Sequence, residues 1–402
     1  MSGEHDALLQ RHLPYLKYDS HECYFADSPA EWTDYEANRL QRGDDVLAAA
    51  RPSDGDGEPR LSLDFLAAKY PDGRLADEGD LISDTRRDYA DASALLHQKP
   101  EYANRIYGRF VEDEERKEKW LQYWFFYFYN DFNLVGSFIG AGRHEGDWEM
   151  IQLRLGEGDA PDYAVYAQHK HAGVRHWQQV ERLPGSQRPV VYVARGSHAS
   201  YFEPGPHGTG AWIDWADGGR PRESDSKLEI VREGEPQWKW LRWPGHWGDT
   251  KPTRIRLPFL SHAVQPPFDS DSPVGPAMHK QWNEPHLLAP DLSTARPPIE
   301  GVEPATIPRM AKVRATRSGD GLAIDYEVQG AEDADLRGLV VTVNSPDEKA
   351  PPRTHTVKVE APAGQAHLPL QLDPAKRYDV YASAAFADRS PTESRRSDID
   401  AV

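Results

Sequence analysis

At 402 residues the chain is long for one hydrophobic core, so its length favours two or three domains. Hydrophobic residues make up 38% and the mean hydropathy is -0.75, yet 12 Trp and 18 Tyr supply large apolar faces for burial. Lys and Arg total 47 against 65 Asp and Glu, and the net charge of -18 excludes binding to nucleic acid or to an anionic membrane surface by simple charge attraction.

Met1 to Lys17 carries Glu4, His5 and Asp6 and lacks the apolar core of a secretion signal, so the expected location is cytoplasmic, or exported without a classical signal peptide. Cys23 is the lone cysteine; no internal disulfide is possible, and its expected role is a small buried hydrophobe. Ser28-Pro29-Ala30-Glu31 has capping-box spacing with Pro at the first helical position, which predicts a helix to about Leu40. Arg51 to Pro59 reads as a loop, and the charge run Glu112 to Lys119 as a solvated helical face.

From Trp120 the character changes. Trp120 to Tyr129 is apolar on both faces, as in a central strand, and is about half the length needed to span a bilayer as a helix, so no transmembrane segment is expected. Further strands are predicted at Asp147 to Leu155, Tyr163 to His169 and Pro189 to Arg195, joined by turn residues that favour antiparallel packing. Proline-dense 244–308 reads as a segment wrapping the body, with linker composition at 297–308. Beyond it, stretches such as Gly321 to Val328 and Gly338 to Val343 have the spacing of a small seven-stranded sandwich. The expected fold is therefore mainly β: an antiparallel β-sandwich with peripheral helices over 1–296, a linker, and a second sandwich over 309–402.

The chemistry concentrates around one strand. Alternation puts Asp147, Glu149, Ile151, Leu153 and Leu155 on one face, and carboxylates two residues apart sit about 7 Å apart, within reach of one cation between them. Without a cation, like charges beside an apolar face raise one another's pKa. His144 lies three residues earlier, after Gly140-Ala141-Gly142, where a bend would fold its imidazole back. Carboxylates with one imidazole fit Ca or Mg best, and Mn or Zn also. Ser197-His198 lacks a G-x-S-x-G elbow, and no H-E-x-x-H, P-loop or dinucleotide fingerprint occurs.

Arg143-His144-Glu145-Gly146-Asp147-Trp148-Glu149 resembles the core motif of the vacuolar protein sorting-associated protein 62 family and is similar to the G-H-R-H-D-W-E heptapeptide of the necrosis-inducing plant cytolysins. The cytolysin resemblance implies a divalent cation held by His144, Asp147, Glu149 and an upstream aspartate, here Asp131 at the end of Phe128-Tyr129-Asn130-Asp131. Gly146 and Glu145 replace the cytolysins' second His and Arg, so their membrane-damaging activity is not implied. Other segments extend the sorting-protein resemblance over about 270 residues, among them Leu13-Pro14, Glu22 to Phe25, Ala167-Gln168-His169, Arg188 to Ala194, Gly196 to Phe202 and Gly245 to Gly248. Tyr378 to Ala382, with Leu372 and Ser390 to Ser394, makes the tail resemble a fibronectin type III domain, with Tyr378 as its corner tyrosine.

These readings imply a divalent-cation-dependent protein that binds a polar or sugar-bearing head group, lipid or glycan, with His169, Arg195, Ser197 and His198 lining the pocket. A metal-dependent hydrolase is the first rival, with His169 or His198 as proton shuttle and hence the candidate catalytic residues. The second is an interaction or trafficking protein with a purely structural cation and a protein partner on the fibronectin-like domain.

Overall fold

The structure, a computed structural model, describes residues 2–401 apart from 20, 53–56, 87, 98–102, 133–142, 170, 209–212, 220–225, 250–271, 290, 293–308, 320, 330–335, 346, 348–352, 360 and 388–394. The predicted linker, the glycines at 140 and 142, most of the proline-dense segment and Ser390 to Ser394 lie outside the described residues.

The chain opens with α1 Ser2–Arg11, β1 Tyr15–Tyr18, α2 Pro29–Asp34, β2 Asn38–Arg42, β3 Asp45–Ala49, β4 Asp80–Asp84 and α3 Tyr89–His97. Then come β5 Arg105–Asp113, β6 Glu118–Asn130, β7 His144–Leu155, β8 Pro161–Gln168 and β9 His171–His176. The body closes with β10 Val190–Val193, β11 Ser200–Tyr201, β12 Gly205–Gly208, β13 Ile213–Ala216 and β14 Lys227–Ile230. Strands β5 to β9 form an antiparallel meander, and β14 adds beside β5 to give the order β14-β5-β6-β7-β8-β9.

The aromatic run becomes the wall between two cores. Trp124, Phe126 and Phe128 of β6 face one that includes Leu40, Leu47 and Ile82 of the sheet β3-β2-β4; Tyr123, Phe125 and Tyr127 face another shared with Leu16, Tyr18, Val191 and Val193 of the sheet β1-β10-β11. The sandwich thus carries a layer on each face of its main sheet, as the two apolar sides of β6 require.

Several local expectations are corrected. Ser28 Oγ does accept the Ala30 N–H at 3.2 Å, but α2 ends at Asp34, because Tyr35 turns extended and Asn38 donates its side-chain amide to Trp32 O at 2.6 Å as β2 begins. Glu112 to Lys119 is not helical; it is the solvated end of the β5–β6 hairpin. Strand β10 is shorter than 189–195 and pairs parallel with β1, as β14 does with β5, departures from all-antiparallel packing. Cys23 is exposed rather than buried. In the described parts of the proline-dense segment, a bend tied by the Trp247 N–H to Pro273 O seats Trp247, and a short 3-10 turn seats Trp282, both at most 1% exposed, in the first core.

The tail comprises β15 Arg309–Ser318, β16 Gly321–Gln329, β17 Leu336–Asn344, β18 Arg353–Val357, β19 Ala363–Leu368, β20 Tyr378–Phe386 and β21 Arg395–Ile399. They form two antiparallel sheets, β15-β16-β19 and β18-β17-β20-β21, closed over a core of Leu322, Ile324, Leu339, Val341 and Val380. The Asp373 N–H donates to Tyr378 Oη at 3.1 Å, and Tyr326 is 5% exposed with its hydroxyl on Ala361 O.

Candidate functional site

The end of β6 and the start of β7 carry the site. Register pairs Tyr127 with Asp147 and Tyr129 with Glu145. Strict alternation would put Glu145 and Asp147 on one face, but Gly146 between them has φ +60, a conformation that favours glycine. Glu145 therefore turns to Tyr89, Asp84 and Asp249, where burial pushes its carboxyl up to about 7. Asp147 turns instead toward His198. From Asp147 onward the alternation holds: Ile151, Leu153 and Leu155 line the second core, Trp148 and Met150 the first.

His144 is fixed from behind. Its Nδ1 donates to Gly146 O at 2.7 Å, so the Nε2 lone pair is directed away and lies 4.0 Å from Asp147 Oδ1, with both side chains over nine-tenths buried. That gap is too long for a hydrogen bond and suits two ligands about one cation; a backbone carbonyl accepting from the far ring nitrogen is the usual group that fixes the tautomer and orientation of a metal-bound imidazole. Glu149 is half-buried, and burial first, then Asp147 and Asp214, push its carboxyl well above the carboxylate range. Asp131 stands apart: it pairs with Arg143 at 2.9 Å, and burial outweighs that arginine to raise its carboxyl. The four predicted metal residues do not form one compact donor set in this conformation; His144 and Asp147 are brought together, with Glu149 adjacent.

The 195–198 turn closes over them. Gly196 has φ +72, and a Cβ there would meet Asp131 O at 2.6 Å. His198 takes φ +54 and is fully buried, stacked on Tyr127 at 3.9 Å and bonded through Nδ1 to Asp147 Oδ2 at 2.8 Å. Burial alone would lower its pKa; Glu22 and Asp147 outweigh it and raise it to about 9. The His198 Nε2, 3.7 Å from Glu22 Oε1, and the Tyr127 hydroxyl are buried without a hydrogen-bond partner.

Ser197 and His169 join a second carboxylate. Asp214, 1% exposed, accepts from Ser197 Oγ at 3.1 Å, His169 Nε2 at 2.7 Å and Tyr201 Oη at 2.6 Å. Burial pulls the His169 pKa down, but the Asp214 bond and charge win and raise it. Ser197 and His169 both point at the aspartate, so the Ser197 hydroxyl is not poised on the His169 imidazole, the arrangement a serine nucleophile requires. Arg195 is exposed; its backbone N–H donates to Trp215 O at 2.7 Å and its charge acts on Asp131 and Asp379.

Two participants escaped the sequence reading. Glu22 accepts the N–H groups of Cys23 and Tyr24, both at 2.8 Å, and of Gly196 at 2.6 Å, tying the N-terminal segment to the turn. Asp214 had one readable signal, a single acid inside the aromatic-rich Trp212-Ile213-Asp214-Trp215.

The described fold is thus a β-sandwich with a buried acid–histidine cluster at one end of its main sheet. Residues 121–216, which hold that cluster apart from Glu22, match the model of the family "Vacuolar protein sorting-associated protein 62". Similar curated proteins from Saccharomyces cerevisiae are vacuolar protein sorting-associated protein 62, 27% identical over 34% of this chain and 32% of its own length, and putative vacuolar protein sorting-associated protein TDA6, 24% identical over 51% and 48%. The chain therefore spans about a third to a half of the length of these relatives, and the matches support the family at low identity. Among solved structures, "Toxin fold for microbial attack and plant defense" is 11% identical over 55% of this chain and 72% of its own, with a TM-score of 0.26. "NLPPya in complex with glucosamine" is 10% identical over 56% and 73%, with a TM-score of 0.25, and likenesses this small carry no argument.

Proposed function

We propose that the body is a divalent-cation-dependent binding protein for a polar or sugar-bearing head group, with His144, Asp147 and Glu149 as the core ligands and Asp131, once released from Arg143, as the fourth. Ca or Mg suits the carboxylate excess, with Mn or Zn as the softer choices. The observation that carries the reading is the His144 imidazole, locked by Gly146 O with Nε2 aimed at an Asp147 oxygen 4.0 Å away. Glu149, whose carboxyl is raised by burial and by its acidic neighbours, gains what it lacks if a cation joins it. On this reading the cation leaves coordination positions open to a diol or phosphate, and Arg195 adds a charge at the rim.

Binding is favoured over hydrolysis by the burial of His198, which is sealed against Tyr127 and has no surface to pass a proton to a substrate. The hydrolase reading retains one support, the His169–Asp214 pair, since an imidazole held by a carboxylate is a proton shuttle in form. The tail, on the order of its sheets and the Tyr378 bond, is proposed as a fibronectin type III-like domain separate from body 1–296, with a protein-binding role open to it.

The test is metal analysis of the purified protein with a chelator melt, then retention on lipids bearing phosphate or sugar head groups with and without the ion. About one equivalent per chain, lost in Asp147→Asn together with retention, is expected. A metal-free wild type whose melting ignores chelator and added Ca, Mg, Mn or Zn overturns the proposal, and turnover of phosphoester, ester or glycoside substrates abolished by both Asp147→Asn and His169→Ala replaces binding with hydrolysis.

A further inference from the structure

Among the described residues, the one group of three carboxylate and imidazole donors within 4.8 Å of one another is Asp19, His21 and Asp217. The cation it faces belongs to the chain itself. Arg396 of β21 donates to Asp217 Oδ2, to Asp379 Oδ1 at 3.1 Å and to Asp398. Asp19 is 1% exposed and accepts the Asp217 N–H through Oδ2 at 3.2 Å, so the arginine seats on a carboxylate that is already braced from behind. Beside it the rings of Trp215 and Tyr381 lie 4.7 Å apart, both buried. A half-buried guanidinium spread over three carboxylates and a buried aromatic pair make a docked seam between the C-terminal sandwich and the body.

The body's share of that seam is carried by β13 and the residue after it. Neighbouring strand residues point to opposite sides, so Asp214 enters the candidate site while Trp215 faces Tyr381, and Asp217 follows at the strand's end. Among the described residues strand β13 has only β12 as a ladder partner, and an isolated two-stranded ribbon is marginal without packing on one face. The Arg195 N–H on Trp215 O ties the same strand to the turn that carries Ser197 and His198.

We propose that the C-terminal sandwich positions the site: Arg396 and Tyr381, seated on Asp217 and Trp215, hold β13 so that Asp214 keeps His169, Ser197 and Tyr201 in place. Arg396 is a positioning residue, acting on the site only through β13. The consequence for affinity rests on the binding reading above, whereas the docking itself does not.

The experiment uses the full chain with Arg396→Ala and, separately, Asp217→Asn, which break the same pair from opposite sides. Hydrogen exchange of 213–217, the ring resonances of His169 and calcium uptake are read together. Both variants should speed exchange at 213–217 while β5 to β8 keep wild-type protection, shift the His169 resonances, and raise half-saturation by calcium about 5-fold or more. Should Arg396→Ala unfold the C-terminal sandwich, Asp217→Asn, which leaves that sandwich intact, decides. Unchanged His169 resonances in Asp217→Asn overturn the proposal, and so do shifted resonances with unchanged calcium affinity. A wild type that takes up none of Ca, Mg, Mn and Zn fails the binding reading alone, and exchange with the His169 resonances then decides the docking.

Discussion

Gly146→Ala is the sharpest single test of how the site is built. The residue sits at φ +60, which costs an L side chain about 1–2 kcal/mol, and a Cβ there would meet Trp247 O at 2.4 Å, a backbone atom that cannot swing aside. Overpacking of that kind adds about 1–3 kcal/mol. Gly158 is the matched control: its φ is +68, but a Cβ there meets nothing within 4 Å. The loss of unfolded-state freedom on Gly→Ala, about 0.4–1 kcal/mol in the mutant's favour, is common to both and cancels in the comparison. Gly146→Ala should therefore be less stable than Gly158→Ala by about 1–3 kcal/mol. Urea titration followed by tryptophan fluorescence measures it in the body alone, because all 12 Trp precede residue 283. If the two variants agree within about 0.5 kcal/mol, the close approach of Trp247 to Gly146 is not a feature of the folded protein.

Other outcomes can be checked in parallel. Trp282→Ala removes a ring that is 1% exposed and lies 4.0 Å from the Arg109 guanidinium; the same titration should show a loss of about 3–5 kcal/mol. Tyr378→Phe removes the acceptor of the Asp373 N–H and should destabilise the tail by about 1 kcal/mol, seen in its hydrogen exchange with the body unchanged. Limited proteolysis should cut at 297–308 and leave a folded fragment of about 95 residues. Asp379 makes the seam acid-favoured. Burial, with Asp398 and Asp19, raises its carboxyl to about 6 against the pull of His21 and Arg195, with Arg396 bonded to it. A carboxyl raised on folding adds stability that is complete below its unfolded value near 3.9 and lost as pH climbs through about 6. Exchange at 395–399, after correction for intrinsic rate, should be slower at pH 5 than at pH 7.5, and Asp379→Asn should flatten the difference.

Much of the body's plan is legible in the sequence because it is local. A run that is apolar on both faces can only be a central strand, and β6 is one; alternation from Asp147 to Leu155 assigns the acids and aliphatics to one side. What fails is what depends on distant partners. The parallel pairing of β1 with β10 joins segments about 175 residues apart, and no spacing announces it. Glu22 and Asp214 reach the site from opposite ends of the body, so motif reading around His144 passes over both. The flip of Glu145 away from Asp147 hangs on the φ of Gly146, which the sequence marks only by the absence of a side chain. The helix predicted to Leu40 stops early because Asn38 is recruited into β2, a tertiary demand that propensity does not contain.

The two-sided strand at the centre of the body bears on how the protein comes apart. Since one backbone supplies residues to both cores in alternation, neither core can lose its packing without stripping β6 of half its contacts, and the two should melt in one cooperative step. Inheritance is constrained in the same way. A substitution that shifts β6 to suit one face misplaces every residue on the other, so change along this strand has to arrive in compensating sets, while strand ends and connecting turns are free to vary singly.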